Sequence, residues 1–333
     1  MPDTTATEKL VLVTGATGKV GQTFIRRLLA SPDHAGYRIR ALCHNRMLEP
    51  SDRLEVIRGD IQERETAAAA VEGATHVLHL ATVKETPDDA IDVAVKGLEW
   101  IVGACRASST FQRFILIGGD AAVGHCVVPH DGPVTEAMGH SAYPGIYALT
   151  KVLEEVLLEQ AYVQYGFAGV CLRAPWIMEK DDFKYATSFG ADVFGGIVWR
   201  DYVGAQRADG YVAEGAAALM YDADERPVQR NFVHVEDLVS AILIALEHEA
   251  AHQQTFNIAM DEPVDYGELG ELLRQRGVLS VPVKTDFVSN WLDNTKARFL
   301  LGWRPQYDLE RVVDAAWSYE RSPDDPRRVW YPG

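Results

Sequence analysis

The amino-acid sequence predicts an α/β protein with a doubly wound parallel sheet and a smaller C-terminal lobe. Short apolar runs rich in β-branched residues alternate with longer amphipathic stretches between residues 9 and 173. Such alternation is typical of parallel strands covered by helices on both faces. The first apolar run leads into a glycine-rich turn at residues 14–21 and then into a helical pattern. Because 47% of the 333 residues are apolar, the chain can bury a core of this kind.

The predicted elements follow one another closely along the chain. Strands are expected at residues 9–14, 37–43, 54–58, 75–80, 112–117 and 168–173, and helices at 19–30, 62–71, 88–107 and 146–166. A later helix is expected at 236–247 and a later strand at 256–258. Ligands of parallel sheets bind beyond the carboxyl ends of the strands. Polar clusters follow the expected strand ends at residues 15–18, 44–46, 60, 82–84 and 118–125.

Composition and charge argue against several classes of protein. No run of about 18 apolar residues is present, so the sequence predicts no membrane span. Residues 1–8 lack the basic and apolar regions of a signal peptide, and we expect a cytoplasmic location. A net charge of -16 argues against nucleic acid or anionic lipid as a partner. The cysteines, Cys43, Cys105, Cys126 and Cys171, form no CxxC pair, so we expect reduced thiols and no metal site.

The turn at residues 14–21, TGATGKVG, predicts a site for the pyrophosphate of a dinucleotide. Gly15 allows a sharp exit from the strand, Gly18 lets the backbone approach the pyrophosphate, and Gly21 permits close packing of the helix. The N-terminus of that helix then offers free N–H groups and the positive end of its dipole to an anion. The position of the turn between a strand and a helix disfavours the alternative of a plain loop.

The second strand bears on the choice between NAD and NADP. An acidic residue at its end would accept hydrogen bonds from the adenosine ribose and repel a 2′-phosphate, and Cys43 stands at that place. His44 and Arg46 follow, which favours NADP over NAD; the alternative is that Arg46 is a solvated loop residue. Asp60 and Ile61 follow the third strand, where a carboxylate can accept a hydrogen bond from the adenine amino group.

The candidates for catalysis are Tyr147 and Lys151. They lie four residues apart in a stretch with helical spacing, so both side chains share one face. An ammonium beside a phenol lowers the pKa of the phenol, which can then exchange a proton with a substrate hydroxyl or carbonyl. Lys151 can also hold the nicotinamide ribose. The spacing alone occurs often by chance, and its meaning comes from the glycine-rich turn upstream.

Together these motifs make the sequence resemble the extended short-chain dehydrogenases/reductases, the family of NAD-dependent sugar epimerases and dehydratases. The matching segments are TGATGKVG at 14–21, GDI at 59–61, HLAT at 79–82, YALTK at 147–151, LRAPW at 172–176, RNFVHVEDL at 230–238 and DNTKARFLLGWRPQYDLE at 293–310. The resemblance implies a Rossmann domain formed by residues 1–175 and 230–257. It implies a substrate-binding lobe formed by residues 176–229 and 258–333. The segment at 293–310 is expected to be structural, with its lysine and tryptophan closing this small lobe. It also implies a homodimer formed through the helices at 88–107 and 146–166.

The same resemblance implies roles for individual residues. Tyr147 is expected to be the catalytic acid/base and Lys151 its partner, which also contacts the cofactor. The remaining cofactor-binding residues implied are Gly15, Thr17, Gly18, Lys19, Val20, His44, Arg46, Asp60, Ile61, Leu80, Ala81, Thr82 and Pro175.

Departures from the family pattern concern the substrate side. Gly119 stands where the family has a catalytic hydroxyl, and Ala94 where it has an asparagine. Loss of such a hydrogen-bond donor typically costs a factor of about 100 to 1,000 in rate, so another donor is expected. The candidates for this role are Asp120, His125, His140, Ser141 and Thr82, although His125 also fits a simple loop residue.

Two further residues are expected near the substrate. Trp176 occupies the place of a family asparagine, and Arg230 fits the arginine that contacts a substrate phosphate. No second arginine completes a diphosphate clamp. Between them, residues 181–215 are rich in aromatics. The rings of Trp176, Phe183, Tyr185, Phe189, Phe194, Trp199 and Tyr202 are expected either to line a sugar-sized pocket or to form the core of the small lobe.

The sequence therefore predicts an NAD(P)-dependent oxidoreductase or epimerase. Its small-molecule substrate would be a secondary alcohol or ketone of a sugar, sugar acid or related polyol, with Tyr147 moving the proton. Two alternatives stay open. One is a dinucleotide-binding sensor with a degenerate site, suggested by Gly119 and Ala94. The other is a nucleotide-sugar epimerase or dehydratase.

Overall fold

The computed structural model describes residues 9–83, 86–191 and 197–325. Its strands, in chain order, are β1 (Lys9–Thr14), β2 (Tyr37–Cys43), β3 (Leu54–Arg58), β4 (His76–His79), β5 (Arg113–Gly119), β6 (Gly169–Ala174), β7 (Trp176–Met178), β8 (Ala217–Tyr221), β9 (Gln229–Arg230), β10 (Phe232–His234), β11 (Gln254–Asn257), β12 (Val264–Asp265) and β13 (Ser280–Lys284).

The helices surround these strands. They are α1 (Lys19–Ala30), α2 (Arg64–Val71), α3 (Pro87–Ile91), α4 (Gly97–Ala107), α5 (Ile146–Tyr165), α6 (Asp182–Ala186), α7 (Trp199–Val203), α8 (Ala205–Ala213), α9 (Val235–Glu247), α10 (Tyr266–Gln275), α11 (Thr295–Leu300) and α12 (Leu309–Ser318). None of them is long and apolar enough to cross a membrane.

The central sheet has seven parallel strands in the order β11-β6-β5-β4-β1-β2-β3. The chain runs outward from β1 to β3, returns to β4, and then runs outward the other way. This reversal between β1 and β4 is the switch point at which such sheets bind their ligands. The fold class predicted from the sequence is confirmed, and the first six predicted strands lie within two residues of their observed bounds.

One predicted helix is not regular. The stretch expected as a single helix at 88–107 consists of α3, a π-helical turn over Asp92–Lys96, and α4. Ala94 lies fully buried inside the π-helical turn. Turns of this kind are rare within helices and are frequent at functional sites. No sequence pattern predicts this turn, because the apolar spacing continues through it.

The described residues form three large apolar cores and one small cluster of Val123, Val134, Ala259 and Leu292. Residues of α1 and α9 pack on one face of the sheet, and residues of α2, α4 and α5 pack on the other. A third core lies in the small lobe among β8, α10 and α12. The predicted packing of the 236–247 helix on the sheet is confirmed by Leu238, Val239 and Ile242, which are all fully buried in the first core.

The segment around Trp303 was expected to close the small lobe, and the structure corrects this expectation. The Trp303 ring is part of the sheet core, and its Nε1 donates to the backbone oxygen of Asp237 at 3.1 Å. The ammonium of Lys296 donates to the backbone oxygen of Thr255 at 2.9 Å, next to the edge strand β11. The segment around Trp303 therefore packs against the central sheet. The sequence patterns alone do not distinguish these two packing partners.

Candidate active site

The glycine-rich turn lies at the switch point, pressed against the end of β4. Gly15 has φ +64°, and a Cβ built on it would lie 2.8 Å from the carbonyl carbon of Leu80. The Thr14 hydroxyl accepts hydrogen bonds from the backbone N–H groups of Leu80 (3.1 Å) and Ala81 (3.2 Å). Two strand ends are therefore joined through one hydroxyl, which fixes the position of the turn relative to β4.

The start of α1 is packed as tightly. A Cβ on Gly21 would lie 2.6 Å from the backbone oxygen of Ala16, so only glycine lets the helix approach the turn this closely. Gly18 is the N-cap of α1, and Val20 is buried behind it. The Lys19 side chain points across to the small lobe, where its ammonium donates to the oxygen of Ile177 (3.1 Å) and pairs with Asp182.

The expected adenosine residues gather beside this turn. Arg46 Nη2 lies 3.4 Å from the Thr17 hydroxyl oxygen, so the arginine reaches the turn. His44 Nε2 lies 3.6 Å from an Asp60 carboxylate oxygen. Ile61 is buried and packs beneath Gly97 of α4. The cofactor residues of three strand ends thus lie on one edge of the sheet.

The other expected cofactor residues lie farther along this edge of the sheet. Leu80 and Ala81 follow β4 directly, and their N–H groups point to Thr14. Thr82 is exposed. Pro175 is buried between β6 and β7.

Tyr147 and Lys151 occupy the first turns of α5, on the same edge of the sheet. The Lys151 ammonium lies 5.8 Å from the centre of the Tyr147 ring. It also donates to the Ile117 backbone oxygen of β5 at 3.2 Å and to Glu154 Oε2 at 2.8 Å. The α5 helix therefore presents the phenol and the ammonium together, and it adds a carboxylate that the sequence analysis did not predict.

The charges at Lys151 and Glu154 depend on each other. Burial lowers the pKa of Lys151, but the Glu154 carboxylate and Tyr147 oppose this effect, and the net pKa of the ammonium is raised. Burial raises the pKa of Glu154 above its usual value, although the ammonium of Lys151 opposes this effect. Each charge is tolerated in the interior because the other is next to it.

The expected substrate residues form a chain of side chains. Asp120 follows Gly119 at the end of β5, and its Oδ2 lies 2.6 Å from Nδ1 of His125. Nε2 of His125 lies 2.9 Å from Nη2 of Arg230. A guanidinium can only donate, so Nε2 accepts and the ring proton resides on Nδ1, from which it is donated to Asp120. His125 therefore links the Asp120 carboxylate to the Arg230 guanidinium.

Arg230 is enclosed by this arrangement. It is 2% exposed, and its guanidinium carbon lies 4.5 Å from the centre of the Trp176 ring and 5.0 Å from that of Phe232. Its Nε has no hydrogen-bond partner among the described residues. The structure thus brings Asp120, His125, Trp176 and Arg230 together. The arginine faces a histidine and two rings rather than open solvent.

Of the two other candidates for the missing donor, His140 is engaged with Glu155 and Ser141 has a buried hydroxyl. Nε2 of His140 lies 3.0 Å from Glu155 Oε2, and Glu155 also receives two hydrogen bonds from Arg173 of β6. The Ser141 hydroxyl is buried without a partner among the described residues. Gly119 itself lies beside the stem of Lys151, since a Cβ at Gly119 would lie 3.6 Å from Lys151 Cδ.

The predicted aromatic pocket wall is wrong for the rings that the structure buries. Phe183, Phe189 and Trp199 are at most 2% exposed and belong to the core of the small lobe. Tyr202 is 45% exposed, and Phe194 lies outside the described residues. The alternative prediction, that these rings form the core of the small lobe, holds for the buried ones. Of that set, Trp176 is the ring that meets the substrate residues.

The sequence model of the family described as the NAD dependent epimerase/dehydratase family matches residues 11–178 and 212–259. The chain belongs to this family. The resemblance stated from its motifs is thereby confirmed, and the protein is an NAD-dependent enzyme of this family.

Relatives of this family member include an epimerase and a reductase. The UDP-glucose 4-epimerase of Mycolicibacterium smegmatis is 27% identical and covers 91% of this chain and 95% of its own length. The 3-diazoavenalumate denitrifying reductase of a Streptomyces species is 26% identical and covers 89% of this chain and 96% of its own. Relatives of both reaction types are equally similar to this chain, so similarity alone does not select the reaction.

Solved structures share the fold of the chain. A short-chain dehydrogenase/reductase superfamily protein from Agrobacterium tumefaciens, with bound NAD, has a TM-score of 0.75 at 24% identity and covers 92% of this chain and 95% of its own. The UDP-glucuronic acid 4-epimerase from Bacillus cereus, in complex with NAD, has a TM-score of 0.71 at 17% identity. It covers 93% of this chain and 98% of its own.

Three residues of this epimerase/dehydratase family member were missed by the sequence analysis. Thr14 joins β1 to β4, and it lies 3.2 Å from His79 Nδ1, a buried imidazole whose Nε2 lacks a partner among the described residues. Glu154 pairs with Lys151. Glu154 could have been found, because a carboxylate three residues after Lys151 falls on the same helix face. Thr14 and His79 gave no such signal.

Proposed function

We propose that this protein is an NAD(P)-dependent oxidoreductase or epimerase acting on a secondary alcohol or ketone. The observation that carries the proposal is the pairing of Tyr147 with the Lys151 ammonium, 5.8 Å from its ring, at the same sheet edge as the glycine turn. Tyr147 exchanges a proton with the substrate oxygen. Lys151 stabilises the phenolate and contacts the cofactor ribose. A nicotinamide cofactor supplies hydride transfer when bound.

The residues of the turn fit the cofactor by their chemistry. Glycine at position 15 lets the turn lie directly against Leu80, and the N-terminus of α1 that follows the turn complements the charge of a pyrophosphate. The Agrobacterium tumefaciens and Bacillus cereus structures contain NAD, which supports NAD as the cofactor. Arg46, directed to Thr17, supports the finer proposal that a 2′-phosphate is also accepted.

The substrate side supports a compact substrate. Arg230 is buried and already donates to His125, so it is not presented as an open clamp for a diphosphate. Asp120 offers a hydrogen-bond acceptor and Trp176 offers one ring face, which suit a sugar, sugar acid or related polyol. Asp120 directly follows Gly119, and its carboxylate can accept a hydrogen bond from a substrate hydroxyl.

The experiment is a screen of the purified protein with NAD and NADP against sugars, sugar acids and polyols, read by nicotinamide absorbance. We expect turnover of at least one member, abolished by Tyr147→Phe and retained by Tyr202→Phe, a control on the exposed Tyr202. Tight cofactor binding without turnover across the panel would contradict the proposal and favour the sensor alternative.

A second candidate function is nucleotide-sugar epimerisation. It is favoured by the UDP-glucose 4-epimerase of Mycolicibacterium smegmatis, which matches this chain over nearly all its length. UDP-sugars belong in the same panel, with product separation by chromatography because epimerisation changes no net nicotinamide absorbance. Interconversion of a UDP-sugar without net redox would replace the first candidate by this one. A homodimer formed through α4 and α5 stays a prediction.

A further inference from the structure

A buried ion pair lies inside the proposed catalytic helix. Lys151 is 5% exposed and Glu154 is fully buried, and their Nζ and Oε2 atoms lie 2.8 Å apart. The second oxygen of Glu154, Oε1, has no hydrogen-bond partner among the described residues. Interior carboxylates are costly unless they are paired, and this one is held by the ammonium alone.

The other titratable groups near this pair leave its charge balance unchanged. On β4 and β6, burial lowers the pKa of His79 to about 3 and raises that of the Cys171 thiol, so both are neutral near pH 7. Glu155 of α5 is compensated by Arg173 of β6 and by His140.

The other elements around α5 carry charged side chains that are paired or in contact with solvent. The turn after β5 carries Asp120, which is bonded to His125. The π-helical turn carries the pair Asp92–Lys96, whose side chains are 45% and 43% exposed. On α3, Asp88 and Asp89 are exposed, as is Glu99 on α4, while Arg106 of α4 lies over the Tyr165 ring.

Counting charges gives the consequence for Tyr147. With Glu154 ionised, the group formed by Tyr147, Lys151 and Glu154 is neutral while phenol and ammonium both keep their protons. Loss of a proton then leaves a net negative charge in the interior. With a neutral side chain at position 154 the group starts with one positive charge, and the same loss makes it neutral. The first proton is therefore released at lower pH when Glu154 is absent, whichever partner releases it.

We propose that Glu154 is a positioning residue that keeps the Tyr147–Lys151 pair fully protonated at neutral pH and so prepares the site to reduce a carbonyl. This inference rests on the proposed function. In the reduction, the phenol O–H bond breaks and its proton bonds to the substrate carbonyl oxygen. Hydride from a reduced nicotinamide dinucleotide bonds to the carbonyl carbon. The products are a secondary alcohol, the oxidised cofactor and a phenolate, which regains a proton from solvent.

The test titrates both groups in the cofactor-free protein. Protein labelled with ¹³Cζ-tyrosine and ¹³Cε-lysine is followed by NMR against pH, with Tyr147 and Lys151 assigned from Tyr147→Phe and Lys151→Met. In Glu154→Gln we expect the first proton to leave the pair about one pH unit or more below the wild-type value, because one unit reflects a single nearby charge. Glu159→Gln, on the exposed Glu159 of the same helix, is the matched control and should overlay the wild type.

Two further outcomes decide the inference. Unchanged titration curves of both groups in a folded Glu154→Gln protein would overturn it, and Glu154→Ala provides the same comparison if the glutamine variant does not fold. In active protein, the alkaline limb of the pH profile of carbonyl reduction should move to lower pH in Glu154→Gln. The NMR result does not depend on turnover. An inactive protein with the expected titration shift would therefore contradict the proposed function and leave the role of Glu154 supported.

Discussion

The proposed cofactor side and the proposed substrate side of this site are built in different ways. The cofactor side consists of backbone: a strand end, a turn that requires glycine, and a helix N-terminus, all within residues 14–21. The substrate side consists of side chains that meet across the fold. Its central contact joins His125 to Arg230, 105 positions apart. A site made of local backbone is visible in a sequence, whereas a site made of distant side chains requires coordinates.

The largest effect is expected from breaking the cofactor side with Gly15→Ala. An alanine at φ +64° is strained, and its Cβ would lie 2.8 Å from a backbone carbon of Leu80. We expect the free energy of unfolding to fall by more than about 2 kcal/mol, since strain and overpacking add. Cofactor binding should be lost as well. Thermal unfolding and cofactor titration measure both effects.

Gly36→Ala is the matched control, because nothing lies within 4 Å of a Cβ at Gly36. We expect its free energy of unfolding to stay within about 0.5 kcal/mol of the wild type. Equal behaviour of the two alanine variants would mean that the turn is not pressed against β4.

The substrate side is broken by His125→Ala. The buried Arg230 guanidinium then loses an acceptor 2.9 Å away, so we expect the free energy of unfolding to fall by about 1–3 kcal/mol. The guanidinium keeps its hydrogen bond with Tyr266 but loses the one with His125, so it should also bind UDP more tightly than the wild type does, as measured by calorimetry. His252→Ala, on the exposed His252, is the control. Unchanged stability and unchanged UDP binding would refute the contact between His125 and Arg230.

The adenosine end is tested by Arg46→Ala. If Arg46 contacts a 2′-phosphate, loss of one charge-assisted hydrogen bond should weaken NADP binding about tenfold or more and leave NAD binding unchanged. Fluorescence titration with both reduced cofactors measures this selectivity, with Arg304→Ala on the exposed Arg304 as the control. An equal loss of affinity for the two cofactors would mean that Arg46 contacts a group that NAD and NADP share.

The smallest effect concerns stability against pH. The hydrogen bond to Glu155 raises the pKa of His140 above its usual value of 6.5. A group whose pKa is raised in the folded protein stabilises the fold fully at pH values below its pKa in the unfolded chain. This contribution is lost as the pH rises through its pKa in the folded protein. Urea unfolding at pH 5.5 and 8.5 should therefore show a smaller decrease of stability with pH in His140→Gln than in the wild type. An identical pH dependence would contradict the pairing.

The sequence predicted the parts of the molecule that depend on local patterns. Strand bounds, the glycine turn and the Tyr147–Lys151 spacing follow from side-chain periodicity and backbone freedom, which neighbouring residues determine. The lobe aromatics could not be assigned, because a pocket wall and a core use the same residue types. The ion pair of Lys19, a residue that the resemblance assigns to the cofactor, could not be predicted either, since its partner Asp182 is 163 positions away. The fold is therefore more predictable here than the substrate side.

The central claim is that Tyr147 moves the proton during hydride transfer. The most direct measurement is the single-turnover rate of hydride transfer, followed by nicotinamide absorbance, in Tyr147→Phe with a substrate found in the panel. We expect a loss of about 100-fold or more, because general acid–base catalysis contributes about 10² to 10⁴, with cofactor affinity unchanged. A rate equal to that of wild type would contradict the account.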